Sequence, residues 1–599
     1  MALPINSIWE IRTGATAANA NGCGFNPENG NMMTDLATTG STGQGTAPTV
    51  SSATYTFVAG DVDGYLFVKA GTSWTPGWYL IASVAGGVAT LTATIGSVVK
   101  YTSGAARSFA VNTVAGVGTA DDLTGGTFTI DYSQQNAAEL NVTDGASTAS
   151  TTFTSAGSTF RQSMIGNFGH LISATGADEV VGWYEIVNWT DANTIVLDRT
   201  SGTYTVCVFN IGGAASLQSS TANQTDDIFF ELGAGTNGSG AHVFFIQNGT
   251  FASVQAVSVA ATGGTQVPIR VCGYNTIRTD GMTGSLGANR PIWGGSPSFG
   301  TNWDIYNISF LSNAVATLTV GSQGKVLYCK AICNSTTAAR SAIQNGNNTV
   351  FFLGVEAMSY RGPTWVPASA GSTLVMDSCY FHDSTYFVNA GTTTGRHTVT
   401  NCLFADFITT IWNNTSAATG APSFLNNTFY GVETKAGTGF AFITASLSHF
   451  FRNCIFYGLT TPINNTDPQL ISLGLSDYND YYNNTNGNTN FPAGKNDIAV
   501  DPAFTSVAQR TGSTATTNTT GGNHLVDTNA TFQTWGIVAG TDILHITGGT
   551  AGPVVCAYSI LSVDSETQLT VGETIVANAT ADHTWHITYG HNFLPTGNV

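Results

Sequence analysis

The sequence predicts an all-β chain whose centre is a parallel β-helix, flanked by small β-sandwich or β-barrel modules. The main observation is a set of short segments that recurs about once every 24 residues through the middle of the chain. The central residues of these segments are Ile308, Cys329, Val355, Cys379, Cys402, Asn427 and Cys454. A second column lies two positions further on, at Phe310, Ala331, Ala357, Phe381, Phe404, Phe429 and Phe456. Two columns separated by two residues form one face of a strand, and one such strand per period indicates a solenoid.

The composition agrees with this fold class and excludes two kinds of partner. Only 9% of the residues are charged, 69 of 599 are glycine and 11% are aromatic, which favours strands and turns over helices or disorder. The net charge of −18 predicts repulsion of phosphate backbones, so we expect no nucleic-acid partner. The chain contains no apolar run of about 18 residues, so we expect no membrane insertion.

A second repeat predicts the flanking modules. The string GWYLI at 77–81 recurs as GWYEI at 182–186, and a weaker copy of the surrounding strand pattern follows the solenoid. We expect a short helix over 133–140 and a covering segment for the first coil at 216–240. The predicted domains are an N-terminal arm at 1–36, a first β-module at 37–120, a second at 121–215, the β-helix at 216–505, a linker at 506–523 and a third β-module at 524–599.

The nine cysteines predict free thiols rather than a disulfide framework. No CxxC pair is present, and four cysteines fall in the inward column, where they act as small buried apolar side chains. Cys379 and Cys402 lie on adjacent coils with parallel side-chain directions, which suits a disulfide poorly. The histidines and cysteines show no ligand spacing for zinc, so we expect neither a metal nor a cofactor.

Several local strings go beyond composition and carry a family resemblance. The strings are IWEIRT at 8–13, NGCGF at 21–25, DYSQQNAA at 131–138, VFNIGGA at 208–214, VFFIQNGTF at 243–251, DYNDYYNN at 477–484 and DIAVDPAF at 497–504. Together they resemble right-handed parallel β-helix virion proteins of tailed bacteriophages, of the tail fibre, tailspike or capsid-exterior type. The resemblance covers about residues 1–30 and 121–505, so the first and third modules look like additions.

The resemblance implies a virion structural role on the particle exterior, at the tail or on the capsid, and it brings no catalytic motif. The N-terminus from Met1 shows neither the basic nor the apolar part of a secretory signal, so we expect synthesis in the host cytoplasm and release with the particle. The expected partners are other virion proteins, a host surface polysaccharide and further copies of this chain, with a trimer the commonest arrangement among similar phage spikes.

Asp383 and Asp406 are the strongest candidates for catalysis. Each follows its column cysteine by four residues, so stacked coils bring the two carboxylates about 5 Å apart, near the separation in retaining glycosidases. The same column otherwise contains Ser, Cys and Gly, most of them turn residues, and an aspartate in a turn often bonds its own backbone. A structural role for the pair therefore stays open beside the catalytic one.

Aromatic residues after the strand columns or in the loops are candidates for glycan contact, because a ring face packs against the C–H face of a sugar. These candidates are Tyr360, Trp365, Tyr386, Trp412 and Tyr430. Packing of loops or a subunit interface would use the same residue types. Asparagines 307, 401, 426 and 453 each precede a column residue, and we expect them to form a partial ladder along the coils.

Two main functions follow from these observations, and a third is weaker. The first is a virion structural protein on the particle exterior, a fibre, spike or capsid decoration that presents its β-helix for host-surface or glycan attachment. The second is a tailspike depolymerase, a polysaccharide hydrolase or lyase that uses Asp383 and Asp406. The third is an exported bacterial adhesin, which the missing export signal disfavours.

Overall fold

The chain forms two compact units. The first contains residues up to 284 together with 291–293 and 298–308, and the second contains 285–290, 294–297 and residues from 309 onward. The computed structural model describes residues 7–15, 20–92, 98–102, 108–112, 116–176, 178–217, 242–251, 258–259, 268–278, 280–282, 284–312, 316–333, 340–345, 349–359, 363–367, 373–382, 384–390, 397–405, 407, 409–414, 422–431, 438–442, 449–465, 475–502, 510–515, 522–539, 542–548, 556–575 and 583–588.

The regular structure is almost entirely β. Short 3₁₀ turns cover Ala59–Asp61, Gln162–Met164, Asp280–Met282 and Gly287–Asn289. As far as residue 306 the strands are β1 Ile8–Ile11, β2 Gly24–Phe25, β3 Met33–Thr38, β4 Thr49–Ser51, β5 Tyr65–Ala70, β6 Gly77–Ala85, β7 Val88–Thr92, β8 Val98–Thr102, β9 Ser108–Asn112, β10 Gly126–Asp131, β11 Leu140–Val142, β12 Ser147–Thr148, β13 Thr152–Thr154, β14 Phe168–Ala174, β15 Gly182–Asp191, β16 Thr194–Leu197, β17 Thr203–Tyr204, β18 Cys207–Ile211, β19 Val243–Gln247, β20 Thr250–Phe251, β21 Ser258–Val259, β22 Ile269–Tyr274, β23 Ile292–Gly294, β24 Ser298–Phe299 and β25 Trp303–Tyr306.

The first module is a closed six-stranded barrel in the order β5-β10-β3-β4-β7-β6, with β6 pairing back to β5. Its strands alternate as a half-buried sheet requires: in β7, Ala89 and Leu91 are buried and the residues beside them are partly exposed. Strand β10 lies outside the predicted range 37–120, and β3 lies largely outside it. Both strands nevertheless contribute to this barrel.

The second module is an open sheet in the order β11-β18-β14-β15-β16-β13, a half-barrel. The repeated strings occupy equivalent strands, GWYLI in β6 and GWYEI in β15, and each strand pairs with the one that follows it. Both tryptophans are buried and their ring nitrogens are satisfied. Trp78 donates to Asp131 at 2.8 Å, and Trp183 donates to the carbonyl of Asn21 at 3.0 Å.

The segment 133–139 forms turns and bends, so the predicted helix over 133–140 is wrong. The backbone N–H and the hydroxyl of Ser133 both donate to Asp131 Oδ1, at 3.0 and 2.5 Å. Such local side-chain bonds offer the backbone an alternative to a helical turn. The amide of Gln135 is also committed elsewhere, because it donates to the carbonyls of Gly60 and Val62 at 3.3 and 3.2 Å.

The N-terminal strand opens the β-helix. Strand β1 lies parallel to β19 with Ile8 opposite Val243, and β19 continues through β22 to β25 in one parallel sheet. The predicted covering segment at 216–240 lies, apart from 216–217, outside the described residues. Within the described part of the first unit, β1 therefore covers the edge that β19 would otherwise expose.

Triplets of short strands make up the β-helix of the second unit. These strands are β26 Ser309–Ser312, β27 Ala316–Val320, β28 Lys325–Leu327, β29 Lys330–Cys333, β30 Ser341–Asn345, β31 Thr349–Leu353, β32 Glu356–Ser359, β33 Pro363–Pro367, β34 Thr373–Asp377, β35 Tyr380–His382, β36 Tyr386–Ala390, β37 Thr398–Thr400, β38 Leu403–Ala405, β39 Thr410–Asn414, β40 Ser423–Leu425, β41 Thr428–Tyr430, β42 Thr438–Phe442, β43 Phe450–Arg452, β44 Ile455–Tyr457, β45 Thr461–Asn465, β46 Leu475–Asp477 and β47 Asp480–Tyr482. Successive triplets build three parallel sheets, so the predicted parallel β-helix is confirmed.

Inward side chains stack from coil to coil in strict register. Phe381, Phe404, Phe429 and Phe456 are fully buried Cα partners. Their successive ring centroids lie 5.6, 5.2 and 4.9 Å apart with interplanar angles of 24° or less.

The cysteines of the inward column are buried and form no disulfide, as predicted: Cys329, Cys379, Cys402 and Cys454. Burial raises the pKa of the Cys454 thiol to about 12.

The third module follows the β-helix as a six-stranded sheet in the order β48-β53-β50-β51-β52-β49. Leu544, Ile560 and Trp585 are buried in its core. The ring nitrogen of Trp585 donates to Asp527 at 2.9 Å, as Trp78 does to an aspartate in the first module. Its strands are β48 Arg510–Ala515, β49 Gly522–Val526, β50 Ile543–Gly548, β51 Cys556–Ser565, β52 Gln568–Ile575 and β53 His583–Thr588.

Candidate functional site

The predicted acidic pair, Asp383 and Asp406, lies outside the described residues. Its immediate neighbours are described. His382 at the end of β35 is the Cα partner of Ala405 at the end of β38, so the two chain segments that lead into the aspartates run in register. The catalytic role of the pair stays a prediction.

The aromatic candidates whose strands the structure describes belong to two different sheets. Tyr360 lies outside the described residues. The backbone of Trp365 in β33 pairs with Ile343 and Val388, in the same sheet as β36, which starts at the half-buried Tyr386. Tyr430 is half-buried in β41, which belongs to a different sheet.

Trp412 requires a correction, because it is only 2% exposed. Its ring lies inside the coil against Phe387 and Phe424, at centroid distances of 5.9 and 5.5 Å. The sequence places Trp412 in a loop after a column, whereas in the structure it is the third residue of β39 and follows the inward phase of that strand. We therefore remove Trp412 from the candidate glycan surface.

Tyr430 instead belongs to a row of three tyrosines on consecutive coils, which we call the tyrosine row: Tyr430, Tyr457 and Tyr482. They are Cα partners at the third positions of β41, β44 and β47. The rings of Tyr430 and Tyr457 lie 5.3 Å apart with an interplanar angle of 1°, and Tyr482 follows at 6.0 Å and 31°. All three are partly exposed, since the residue before each of them points into the coil.

Stacking covers part of the row. The faces of Tyr430 and Tyr457 are turned toward each other, so the ring faces between them are closed to a ligand. At the end of the row, Asp480 lies in the same strand as Tyr482, and its Oδ1 accepts the backbone N–H of Val500 at 3.0 Å. Partial burial raises the pKa of Asp480. The resulting surface is a line of repeated phenols with one acidic group at its end.

A polar ladder runs along the neighbouring turn. Asn453 donates to Asn426 at 2.9 Å, Asn426 donates to Asn401 at 3.2 Å, and Asn401 donates to Asp377 at 2.7 Å. The three asparagines are exposed. The predicted ladder is confirmed for these residues. In Asn307 the side chain instead donates to the carbonyl of Gly284 at 2.8 Å, and it is fully buried.

A charged cluster missed by the sequence reasoning lies on β29, β32 and β35. Lys330 and His382 approach the same oxygen of Glu356, at 2.8 and 3.5 Å. Burial works to raise the pKa of Glu356, but Lys330 and His382 hold it well below its usual value, so the group is a carboxylate at neutral pH. Lys330 and His382 are 5% and 0% exposed, which closes them to a polymeric substrate.

The cluster had a signal in the sequence. Lys330 and Glu356 each follow directly on a residue of the inward column, Cys329 and Val355, so the period already assigns them to neighbouring positions on adjacent coils. Opposite charges in such a pair are the stabilising arrangement.

Among the described residues, no group of three or more His, Cys, Asp or Glu side chains is placed to hold a metal ion. The described part of the chain likewise contains no helix long and apolar enough to span a bilayer.

Comparison with known proteins gives distant likenesses only. No family model and no curated protein matches the chain. Among solved structures it is similar to a pectate lyase, with 10% identity, a TM-score of 0.26, and 40% of this chain and 70% of that chain covered. It is similar to a rice weevil pectin methyl esterase, with 12% identity, a TM-score of 0.24 and coverage of 44% and 81%. It is also similar to the Dettilon tailspike protein, with 9% identity, a TM-score of 0.22 and coverage of 61% and 90%. At these scores we draw no activity from the likeness.

Proposed function

We propose that this chain is a bacteriophage virion protein of the particle exterior, a fibre, spike or capsid decoration, whose β-helix attaches the particle to a host surface polysaccharide. The observation that carries the glycan role is the tyrosine row, in which one amphipathic side chain is repeated outward on three consecutive coils. The virion role rests on the sequence strings that resemble β-helix proteins of tailed phages.

The geometry of the row suits a repeating ligand. The rings on successive coils lie 5.3 and 6.0 Å apart, so a polysaccharide laid along the row meets the same phenol group at each step. A single contact of this kind is weak, but contacts on one rigid surface add without a further association cost. Tyrosine is suited to the role because its ring carries apolar area and its hydroxyl makes hydrogen bonds.

The same proposal includes self-association and neighbouring virion proteins as partners. A homo-oligomer, with a trimer as the expected form, would repeat the row around the assembly and multiply the weak contacts. Sedimentation of the purified chain tests this part. The mass of a trimer supports it. The mass of a monomer at every concentration tested contradicts it.

The glycan role is tested with purified bacterial capsular polysaccharides and O-antigens immobilised as an array. We expect binding to at least one polymer, and a loss of at least about tenfold in affinity for Tyr457→Ala, the central member of the row. Phe351→Ala is the matched control, because Phe351 is also an aromatic residue of the β-helix, is 41% exposed and lies outside the row. Equal binding by Tyr457→Ala and Phe351→Ala would contradict the role of the row.

The second candidate function is polysaccharide cleavage by Asp383 and Asp406. The observation in its favour is that the residues directly before them, His382 and Ala405, are Cα partners on adjacent coils. Under this proposal one carboxyl acts as general acid and the other as nucleophile or base. Release of reducing ends or unsaturated sugars from a bound polysaccharide, lost in Asp383→Asn and Asp406→Asn, supports it, and binding without any release refutes it.

A further inference from the structure

A second polar cleft lies in the first unit, far along the chain from the tyrosine row. It is lined by Arg12, which follows β1, and by residues 134–139, which precede β11. The first module contributes Ala59, Gly60, Val62, Asp63, Tyr65 and Leu80. Its volume is about 590 Å³. Pockets for small ligands occupy about 300–1,000 Å³, so the cleft has the size of a small-molecule site.

The walls of the cleft are fixed by contacts made without a ligand. Gln135 donates across it to the carbonyls of Gly60 and Val62 at 3.3 and 3.2 Å. Arg12 is oriented by Glu10, at 2.9 Å from its Nε, and by the hydroxyl of Tyr274 at 3.2 Å from its Nη2. A site held in this way loses little conformational freedom when a ligand enters.

One wall residue has an acceptor without a partner. Glu139 pairs through Oε1 with Arg161, and its side chain is 6% exposed. Its second oxygen, Oε2, is buried and has no hydrogen-bond partner among the described residues. Burial raises the pKa of Glu139, with Arg161 opposing it. A buried polar atom that lacks a partner costs free energy, so a donor from a ligand would stabilise it.

The remaining lining indicates the class of ligand. Tyr65, Val62 and Leu80 supply apolar area. The nitrogen of Gln135 is used on Gly60 and Val62, so its side-chain oxygen is the acceptor that this residue supplies. This mixture suits a ring with one C–H face and several hydroxyls, which donate to carboxylates and amide oxygens.

The charges in the cleft disfavour an acidic ligand. The positive charge of Arg12 is already matched by Glu10, at 2.9 Å. Glu139 is paired in the same way with Arg161, while Asp63 is an exposed acidic residue of the lining. An anion such as a uronate or a phosphate would therefore meet net negative charge, and like charges at close range repel.

We propose that this cleft binds a neutral saccharide of one to a few units, with a sugar hydroxyl donating to Glu139. The proposal goes beyond the polysaccharide role of the tyrosine row and does not rest on it. A neutral sugar bound here would contact the first module, the segment before β11 and Arg12, as a separate site on the same chain.

The test uses the full chain, saturation-transfer NMR and a panel of glucose, galactose, mannose, N-acetylglucosamine and N-acetylgalactosamine, with glucuronate and galacturonate as acidic probes. We expect transfer to at least one neutral sugar at about 10 mM and none to the acidic sugars. Ala137→Trp should abolish the transfer, because Ala137 is an exposed lining residue and a large ring there fills the cleft. Ala53→Trp is the matched control, since Ala53 is exposed outside the cleft.

The outcomes separate this site from the row. Transfer that is retained in Ala53→Trp and Tyr457→Ala but lost in Ala137→Trp supports the cleft. Glu139→Gln should weaken binding at least about fivefold, because one acceptor oxygen is replaced by an amide donor. Transfer lost in Tyr457→Ala but retained in Ala137→Trp assigns the sugar to the row and overturns the proposal. Absence of transfer to every neutral sugar, or transfer only to the acidic ones, overturns it as well.

Discussion

Each turn that leads into the inward column depends on one residue with an unusual backbone conformation. Asn401, Asn426 and Asn453 have φ values of 53°, 57° and 55°, and Ser378 and Tyr478 at the equivalent positions have 53° and 58°. Positive φ is costly for most L-residues and least so for glycine and asparagine. The asparagines therefore serve the turn through their backbone and the ladder through their side chains.

Asn426→Ala tests both contributions together. It removes the bonds to Asn401 and Asn453 and places an alanine at φ 57°, so we expect a loss of about 1–2 kcal/mol in the free energy of unfolding. Urea denaturation followed by circular dichroism measures the change.

Asn426→Gly is the control that separates the two effects. Glycine tolerates the positive φ but also lacks the amide, so we expect a smaller loss than for alanine. Equal losses in Asn426→Ala and Asn426→Gly would show that the conformational argument for this turn is wrong.

Glu185 gives the first unit a pH-dependent stability. It is 6% exposed, and it accepts from Asn26 and Asn29 at 3.0 and 2.7 Å. Burial raises its pKa to about 7, against the opposing hydrogen bonds of the two asparagines. A folded-state pKa above the unfolded value means that this contribution is fully present below about pH 4.5 and is lost as the pH rises toward 7.

Glu185→Gln cannot titrate, so its melting temperature relative to the native chain should rise between pH 5 and pH 8. The full effect of the shift is at most about 3 kcal/mol. Differential scanning calorimetry at the two pH values measures the relative change, whatever the absolute cost of the substitution. A difference between the two proteins that stays constant with pH would refute the assignment.

At the scale of the element, a stack of aromatic rings inside the β-helix packs neighbouring coils against each other. Phe429 lies between Phe404 and Phe456 and also meets Phe424 and Phe440 edge-on, at 5.9 and 4.9 Å. In a solenoid each coil contacts mainly its neighbours, so a defect in one coil weakens both interfaces of that coil.

Phe429→Ala should therefore lower the free energy of unfolding of the second unit by about 3–5 kcal/mol, through lost burial and a residual cavity. Phe351→Ala, at a 41% exposed position, should change it by less than about 0.5 kcal/mol. Chemical denaturation of the two variants provides the comparison, and similar losses for both would contradict an interior position for Phe429.

The sequence allows the inward columns to be predicted because their period and spacing are both explicit. Their register, their free cysteines and the asparagine ladder follow from that period. The phase of the third strand in each coil has no such marker, so the sequence alone does not show that Trp412 lies inside. The helix expected over 133–140 failed for another reason: its polar side chains bind locally or to the first module, as Gln135 does.

Other parts of the site depend on contacts that are distant in sequence. The cleft joins Arg12 to segments about 50 and about 120 residues away, and no local pattern predicts that meeting. The sequence indicates two members of the tyrosine row, because Tyr430 and Tyr457 each follow a residue of the same inward column. Its third member, Tyr482, is recognised only from the register of β44 with β47.

At the scale of the whole molecule, β1 ties the start of the chain to the β-helix of the first unit. Glu10 is fully buried in β1 and pairs with Arg278 at 2.9 Å, and Arg278 also pairs with Asp131 of β10 at 2.9 Å. One buried cation thus joins three segments that are distant along the chain. Removing one partner of such a network leaves an uncompensated charge, which is strongly destabilising.

Deletion of residues 1–11 removes β1 and Glu10 together. We expect this variant to aggregate, because the edge of β19 becomes an unpaired parallel strand and Arg278 loses one carboxylate. Deletion of 1–6, which retains β1, is the control and should stay dispersed. Light scattering at matched concentration distinguishes them, and a dispersed 1–11 deletion would contradict the capping role of β1.

The central claim is that this chain stands on the outside of a virion with its β-helix accessible. Immunogold electron microscopy of intact particles of the phage that encodes it, using antibodies against residues 309–502, tests this claim most directly. The account predicts gold at a fixed exterior position on untreated particles. Particles that lack the polypeptide, or that bind the antibody only after disruption, would contradict it.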